Sequence, residues 1–313
     1  MTGEPAGRAA LPEVAVLLST WNGAAFLEPQ LDSLRAQRGV RVMLHARDDG
    51  STDATCAILR DHADTWPTLA GITPGPNLGP AASFLHLLRT APDGAGYFAF
   101  CDQDDVWLED KLARAVAALA GARGPALYCS NITCVDAGLA PLGTPPPQAD
   151  TRFAHLLFEN VATGCTVVLN RAARDLINSR PPERGLVMHD WWCALVIGAL
   201  GQVIYDPRPS LLYRQHGGNA VGNKGRWWAE KASHARRLFA RRRSFYPIHA
   251  QAAELLRLHG AEMAPGHRTL LARLVGSRRS PAARAGYALA GPVVRRNPLD
   301  AAVVRGLILA GWY

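Results

Sequence analysis

Tyr97-Phe98-Ala99-Phe100-Cys101-Asp102-Gln103-Asp104-Asp105-Val106-Trp107 is the stretch whose reading decides the fold. Its first five residues are apolar or aromatic, too short a run for a buried helix, and read as a strand covered on both faces. Three carboxylates follow within four residues, so a buried strand empties into an acidic cluster. Helical spacing then predicts a helix over Val106–Leu119. The same pattern recurs upstream. Val14–Thr20 (VAVLLST) reads as a buried strand ending in Ser19 and Thr20, and Phe26, Leu27, Leu31 and Leu34 follow at helical spacing within 25–37. Arg41–Ala46 (RVMLHA) is a second strand, stopped by Asp48-Asp49-Gly50-Ser51. A helix is expected over Asp53–His62, capped by Ser51 or Thr52. Gly71–Thr73 reads as a short strand and Ala81–Arg89 as a helix. Strands alternating with helices, with polar side chains at the strand ends, is the doubly wound α/β pattern. Ligands in such sheets bind beyond the carboxyl ends of the strands.

Beyond about residue 125 the pattern loosens. Ala126–Asn131, Cys165–Leu169, Gln202–Tyr205 and Ser210–Tyr213 read as strands, and His189–Leu200 as an apolar helix headed by Asp190. Near Asn223 the chain turns arginine-rich, with helices expected over Trp227–Arg243 and His249–His259. The 313 residues therefore divide into a flexible start (1–12), an α/β domain (13–225, in halves 13–120 and 121–225) and a basic helical C-terminal region (226–313). Of the formal net charge of +8, the last region holds 16 Lys/Arg against 4 Asp/Glu, so it is the part that suits phosphates. Trp227-Trp228, Arg236-Arg237 and Arg241-Arg242-Arg243 fit a basic amphipathic helix on an anionic membrane, or equally a solvated helix packed on the main domain. No nucleic-acid recognition motif accompanies the charge, and no nucleic-acid partner is expected. The six cysteines are scattered without C-x-x-C spacing, as in a reduced cytoplasmic protein. No signal peptide and no membrane-spanning run is read, so a cytoplasmic protein, peripheral on the inner face of the membrane, is the expectation.

Closely spaced carboxylates repel, and at neutral pH they need a cation or a shared proton. Asp102-x-Asp104-Asp105 therefore suits Mg²⁺ or Mn²⁺ bound together with phosphate oxygens, although alone it reads first as a solvated turn capping the next helix. A dinucleotide fingerprint and a P-loop are both absent.

Taken in order, Ser19-Thr20-Trp21-Asn22, Asp48-Asp49-Gly50-Ser51-Thr52-Asp53, Asn77-Leu78-Gly79 and Asp102-Gln103-Asp104-Asp105 resemble the family 2 glycosyltransferases over roughly residues 13–220. Trp21 departs from the family's usual Tyr but keeps an aromatic ring. The resemblance implies a GT-A fold: a Rossmann-like mixed sheet flanked by helices, here with a basic, mostly helical C-terminal extension. It implies Thr20, Asn22, Asp48, Asp49, Asn77 and Asp102 at the donor nucleotide, with Asp104 and Asp102 holding the metal on the donor diphosphate. Asp105 is then either a group behind those ligands or the helix cap.

In Met188-His189-Asp190-Trp191-Trp192, Asp190 reads from the residues alone as a helix-terminal acid or a base. The resemblance assigns it as the base that takes the acceptor proton, kept ionised by the helix N-terminus. Thr163, Gly164 and Trp191 would line the acceptor side. Tyr213-Arg214-Gln215-His216 resembles the rhamnosyltransferase-like branch, with Arg214 gripping the diphosphate and His216 as a metal ligand or a structural histidine. The implied activity is inverting transfer from a dTDP- or UDP-sugar, rhamnose foremost, to a glycan or lipid-linked acceptor in surface polysaccharide or glycolipid assembly. A non-catalytic sugar-binding protein and a sugar nucleotidyltransferase are the alternatives. An intact Asp190 speaks against the first, and the lack of a Gly-rich basic loop after the first strand against the second.

Overall fold

β1 (Glu13–Thr20) is the hub of the sheet because it has no water-facing side: Val14 through Leu18 are all fully buried. Its parallel neighbours are β2 (Arg41–Asp48) and β4 (Tyr97–Cys101), and β3 (Leu69–Pro74) extends the parallel part beyond β2. On the other side the sheet turns mixed, through β8 (Val168–Asn170), β6 (Ala126–Val135), β9 (Gln202–Arg214) and β5 (Val106–Trp107). The short β7 (Pro141–Gly143) pairs with β6. This computed structural model describes residues 10–148, 150–216 and 248–313; the helix expected over Trp227–Arg243, with its tryptophan and arginine pairs, lies outside them.

Period-two alternation sorts the core into two layers. Val14, Val16 and Leu18 face α1 (Ala24–Arg35), α2 (Thr55–Thr65) and α4 (Lys111–Leu119). Ala15 and Leu17 face the other way, toward α3 (Pro80–Thr90), α6 (Arg171–Ser179) and α7 (His189–Leu200). Helix α7 is apolar all round because it is covered all round. The sheet side lies beneath it, the short α5 (Phe153–Leu156) beside it, and α8 (Ile248–His259) packs on it from outside. Helices α9 (Pro265–Gly276), α10 (Pro281–Ala290) and α11 (Pro298–Ala310) follow, and one apolar cluster runs from Ala15 through Trp192 to Ile308 without a seam. Residues 248–313 thus share their core with the α/β body.

Several expectations are corrected. Val106 does not open a helix. Instead Val106 and Trp107 pair with Leu212 and Leu211 of β9, the Trp107 amide donates to Ser33 Oγ (3.0 Å), and α4 starts only at Lys111. Neither Ser51 nor Thr52 caps α2. The Ser51 hydroxyl donates to Asp48 (2.5 Å), and Asp53 accepts the Thr55 amide (3.0 Å) instead. The two strands read at Gln202–Tyr205 and Ser210–Tyr213 are one strand, whose register against β6 slips around Asn131. Cys165 belongs to a 3-10 turn (Gly164–Thr166) that precedes β8.

Candidate active site

The ends of β1 and β2 are tied together by their own polar residues. Asp48 is buried and accepts from Thr20 Oγ1 (3.0 Å), Ser51 Oγ (2.5 Å) and the amides of Gly50 (3.1 Å) and Ser51 (2.8 Å). Burial alone pushes its carboxyl up, but the bonds from Ser51 and Thr20 outweigh that and hold it below the usual range. Its acceptor capacity is thereby filled within the loop. Asn22, at φ 48, accepts the Thr52 amide (2.8 Å) and donates its own amide to Ser51 Oγ (2.8 Å). Asp49 pairs with buried Arg47 and takes the amides of Leu78 (2.9 Å) and Gly79 (2.8 Å). Asn77 Oδ1 takes the Gly79 amide as well (2.9 Å), and Gly79 sits at φ 76, a left-handed value that glycine adopts without strain. Asp49 and Asn77 therefore shape the loop that launches α3.

Gln103, which the sequence does not single out from its acidic neighbours, completes this lacing. Its side chain accepts the Trp21 amide (2.8 Å) and donates to the Trp21 carbonyl (3.0 Å), joining the end of β4 to the end of β1. The Trp21 ring itself stands 54% exposed above them.

The acidic centre lies where β4, the 3-10 turn and the end of β9 meet. One donor atom each from Asp102, Asp105 and Cys165 falls within 4.8 Å of the others. Asp104 Oδ2 lies 2.8 Å from His216 Nε2. The His216 ring stacks on Phe26 at 4.4 Å, and Phe26 also lies beneath the Arg214 guanidinium at 4.9 Å. Arg214 faces inward rather than standing in open donor space: Nε donates to the Asp104 carbonyl (2.8 Å), Nη1 to the Ala137 carbonyl (2.5 Å) and the amide to Asp105 Oδ1 (3.1 Å). Asp105 accordingly caps no helix; it is fully buried and receives the end of β9.

Burial, with repulsion from Asp104, Asp105 and Asp190, pushes Asp102 well above the carboxylate range. Burial and Asp104 push Asp105 up to about 7. Lys111 lies buried over the Trp107 ring at 3.9 Å, and burial lowers it to about 8. Asp105 Oδ2 has no hydrogen-bond partner among the described residues. Such a cluster gathers more negative charge than its own surroundings neutralise, and its oxygens fit a hard divalent cation. The buried Cys165 thiol is pushed well up by burial and the neighbouring carboxylates, so it stays a neutral, soft group that suits such a cation poorly.

Asp190 opens α7 and faces this cluster closely enough to repel Asp102. The Trp191 amide donates to its Oδ1 (2.6 Å), and Asn160 and the Gly164 amide also hold the carboxylate. The expectation of a lowered pKa is overturned: burial outweighs these donors and pushes Asp190 up to about 6. A side chain at 164 would place its Cβ 3.0 Å from His189 Nε2 and 3.6 Å from Asp190 Oδ2, so it would press on the His189 ring and only touch the carboxylate. His189 stacks on Phe84 (4.1 Å), and burial lowers its pKa to about 3, so it adds no charge beside Asp190. Thr163 forms the turn through its carbonyl, which accepts the Thr166 amide (2.8 Å) and hydroxyl (2.7 Å). Trp191 turns into the core, its indole N–H donating to the Leu156 carbonyl (2.7 Å). Asn160 left no mark in the sequence.

If Asp190 serves as a base, it must be ionised. Activity, read as kcat/KM against pH, is expected to rise through a midpoint near 6 and level off above it. A profile flat down to pH 4.5 would contradict the assignment.

Residues 15–161 match the family model described as glycosyl transferase family 2. The chain is 29% identical over 214 residues to the dTDP-rhamnosyl transferase RfbG of Shigella flexneri, an alignment spanning 66% of this chain and 73% of that protein. It is 32% identical over 108 residues to an uncharacterized protein of Mycobacterium tuberculosis, spanning 33% of this chain and 30% of the other. Among solved structures, S. aureus TarS (residues 1–349) in complex with UDP-GlcNAc superposes with a TM-score of 0.56 at 16% identity, covering 94% of this chain and 79% of that one. That likeness is one of fold.

Proposed function

Because residues 15–161 match the glycosyl transferase family 2 model, we propose that the chain moves a hexose, rhamnose foremost, from a dTDP- or UDP-sugar to a hydroxyl of a glycan or lipid-linked acceptor. The transfer inverts the anomeric carbon and serves polysaccharide assembly. One observation carries the reading: a buried carboxylate, Asp190, with a pKa of about 6, faces the acidic end of β4 across the Gly164 turn. The similarity to a dTDP-rhamnosyl transferase supports rhamnose.

Asp102 and Asp104 are the residues that would hold Mg²⁺ or Mn²⁺, with His216 beside Asp104 as a further ligand. When bound, such a cation supplies Lewis-acid neutralisation of the leaving diphosphate. The rest of the mechanism belongs to the chain. Asn22, Asp48 and Gln103 fix the strand-end loops that form the nucleotide's floor, and the exposed Trp21 ring offers the base a stacking surface. Arg214 fixes the Asp104 backbone and so aims its carboxylate. Asp190, held by Trp191, Gly164 and Asn160, accepts the proton of the acceptor hydroxyl as its oxygen attacks the anomeric carbon. Neutral His189 keeps that pocket free of competing charge.

The basic C-terminal region brings the enzyme to an anionic membrane where lipid-linked acceptors reside. No helix among the described residues is long and apolar enough to cross one. The test is a hydrolysis screen against a panel of nucleotide-sugars with Mg²⁺ or Mn²⁺, followed by NMR of the transfer product. Turnover of a dTDP- or UDP-hexose and inverted configuration are expected. Inertness toward every nucleotide-sugar, or a product with retained configuration, would overturn the reading.

A further inference from the structure

Residues 248–313 contain nine arginines, three carboxylates and no lysine. Arg257, Arg278, Arg295, Arg296 and Arg305 bind carbonyl or carboxylate oxygens of the fold. Arg268, Arg273 and Arg279 do not. Among the described residues they make no ion pair or hydrogen bond, yet all three line one groove of about 510 Å³ between α9 and α10, together with Ser277 and Tyr287. No carboxylate lines that groove. Tyr287 is 4% exposed, and its hydroxyl has no partner among the described residues. Burial pushes it up to about 12, so it remains a neutral donor. Unpaired guanidinium groups and a phenol O–H are donors without acceptors, the complement of phosphate oxygens.

A second feature shares the same helix. While α10 turns Ala283 and Tyr287 to the groove, its Leu289 is 79% exposed. On α11, Leu299, Ala302, Val303, Gly306 and Leu309 are all exposed, and at 3.6 residues per turn they fall in one arc of the helix. Soluble surfaces seldom present a continuous apolar stripe. Together with the unpaired cations of the α9–α10 groove, it supplies the two chemistries of a lipid interface, acyl chain and phosphate.

We propose that the α9–α11 face is the membrane-docking surface of this enzyme. The arginine groove takes the phosphates of anionic lipids, and the α11 stripe enters the head-group layer. The proposal rests on the membrane reading above and names the residues that would carry it. Flotation of the full chain with vesicles of phosphatidylglycerol and phosphatidylcholine, or of phosphatidylcholine alone, tests it. Wild type should float with the anionic vesicles only.

The triple variant Arg268→Ser/Arg273→Ser/Arg279→Ser should bind them roughly 100-fold more weakly at low salt. Leu299→Glu/Val303→Glu should lose at least about tenfold, with donor hydrolysis in the absence of vesicles unchanged in both. If wild type ignores anionic vesicles, the membrane reading itself fails. If it binds and both variants bind equally well, that reading stands and the face proposed here is wrong. Saturable binding of inorganic phosphate without vesicle binding would make the groove a soluble-phosphate site and overturn the proposal. So would a wild-type dimer, seen by light scattering, that Leu299→Glu/Val303→Glu converts to monomer, because a second copy would then cover the stripe.

Discussion

Asp190→Asn is expected to slow turnover by about 10²–10⁴-fold while leaving donor affinity nearly unchanged. The substitution keeps size and retains one oxygen for the Trp191 and Gly164 amides, so the start of α7 should keep its place. What disappears is the carboxylate proposed to take the acceptor proton. The same buried surroundings that raise Asp190 to about 6 make it a stronger base than an exposed aspartate. Single-turnover rates together with calorimetry of the nucleoside diphosphate check the split. A parallel loss of donor binding would move Asp190 into the donor site.

Asp104→Ala is expected to cost roughly 100-fold or more in activity and to bring donor-diphosphate affinity in Mn²⁺ down to the value seen in EDTA. The Asp104 carboxylate lies 2.8 Å from His216 Nε2, while Arg214 holds its backbone carbonyl. Truncation removes the carboxylate and its His216 contact but leaves the backbone anchor to Arg214 intact, so the fold should persist. Titration of wild type with and without Mn²⁺ supplies the baseline. Equal affinity in EDTA, or full activity in Asp104→Ala, would remove the cation from the mechanism.

The parallel half of the sheet was legible because each of its strands is a short apolar run whose end is marked by polar residues. β1, β2 and β4 announce themselves this way, and so does the acidic cluster after β4. Legibility failed where the deciding partner is distant in sequence. Val106 and Trp107 become a strand because Leu211 and Leu212 lie alongside, and nothing in Val106–Leu119 itself signals that. Asp190 was singled out, but its pKa was misjudged: a helix N-terminus is a local feature, whereas the burial that outweighs it comes from the packing around α7. Gln103 and Asn160 were missed for the same reason, since a single amide acquires meaning only through the backbone it meets. Arg214 was read by its charge, and its Nε and Nη1 donate to carbonyl oxygens of the fold.

The seamless core has a bearing on how such an enzyme can diversify. The family match ends at residue 161, yet the proposed base and the helices that cover it lie beyond that point. Trp192, Leu195 and Ile197 of α7 belong to the same apolar cluster as Ile248, Leu255 and Leu271, so the helix that carries Asp190 is also the bed on which the C-terminal helices rest. The arginine-rich end is therefore not a detachable module. Grafting it from one relative onto another, or trimming it to obtain a minimal enzyme, would strip or mismatch the outer side of α7 and disturb the base. Substitutions on the outer rim of α9–α11 leave the seam beneath unchanged, whereas changes along the seam reach α7.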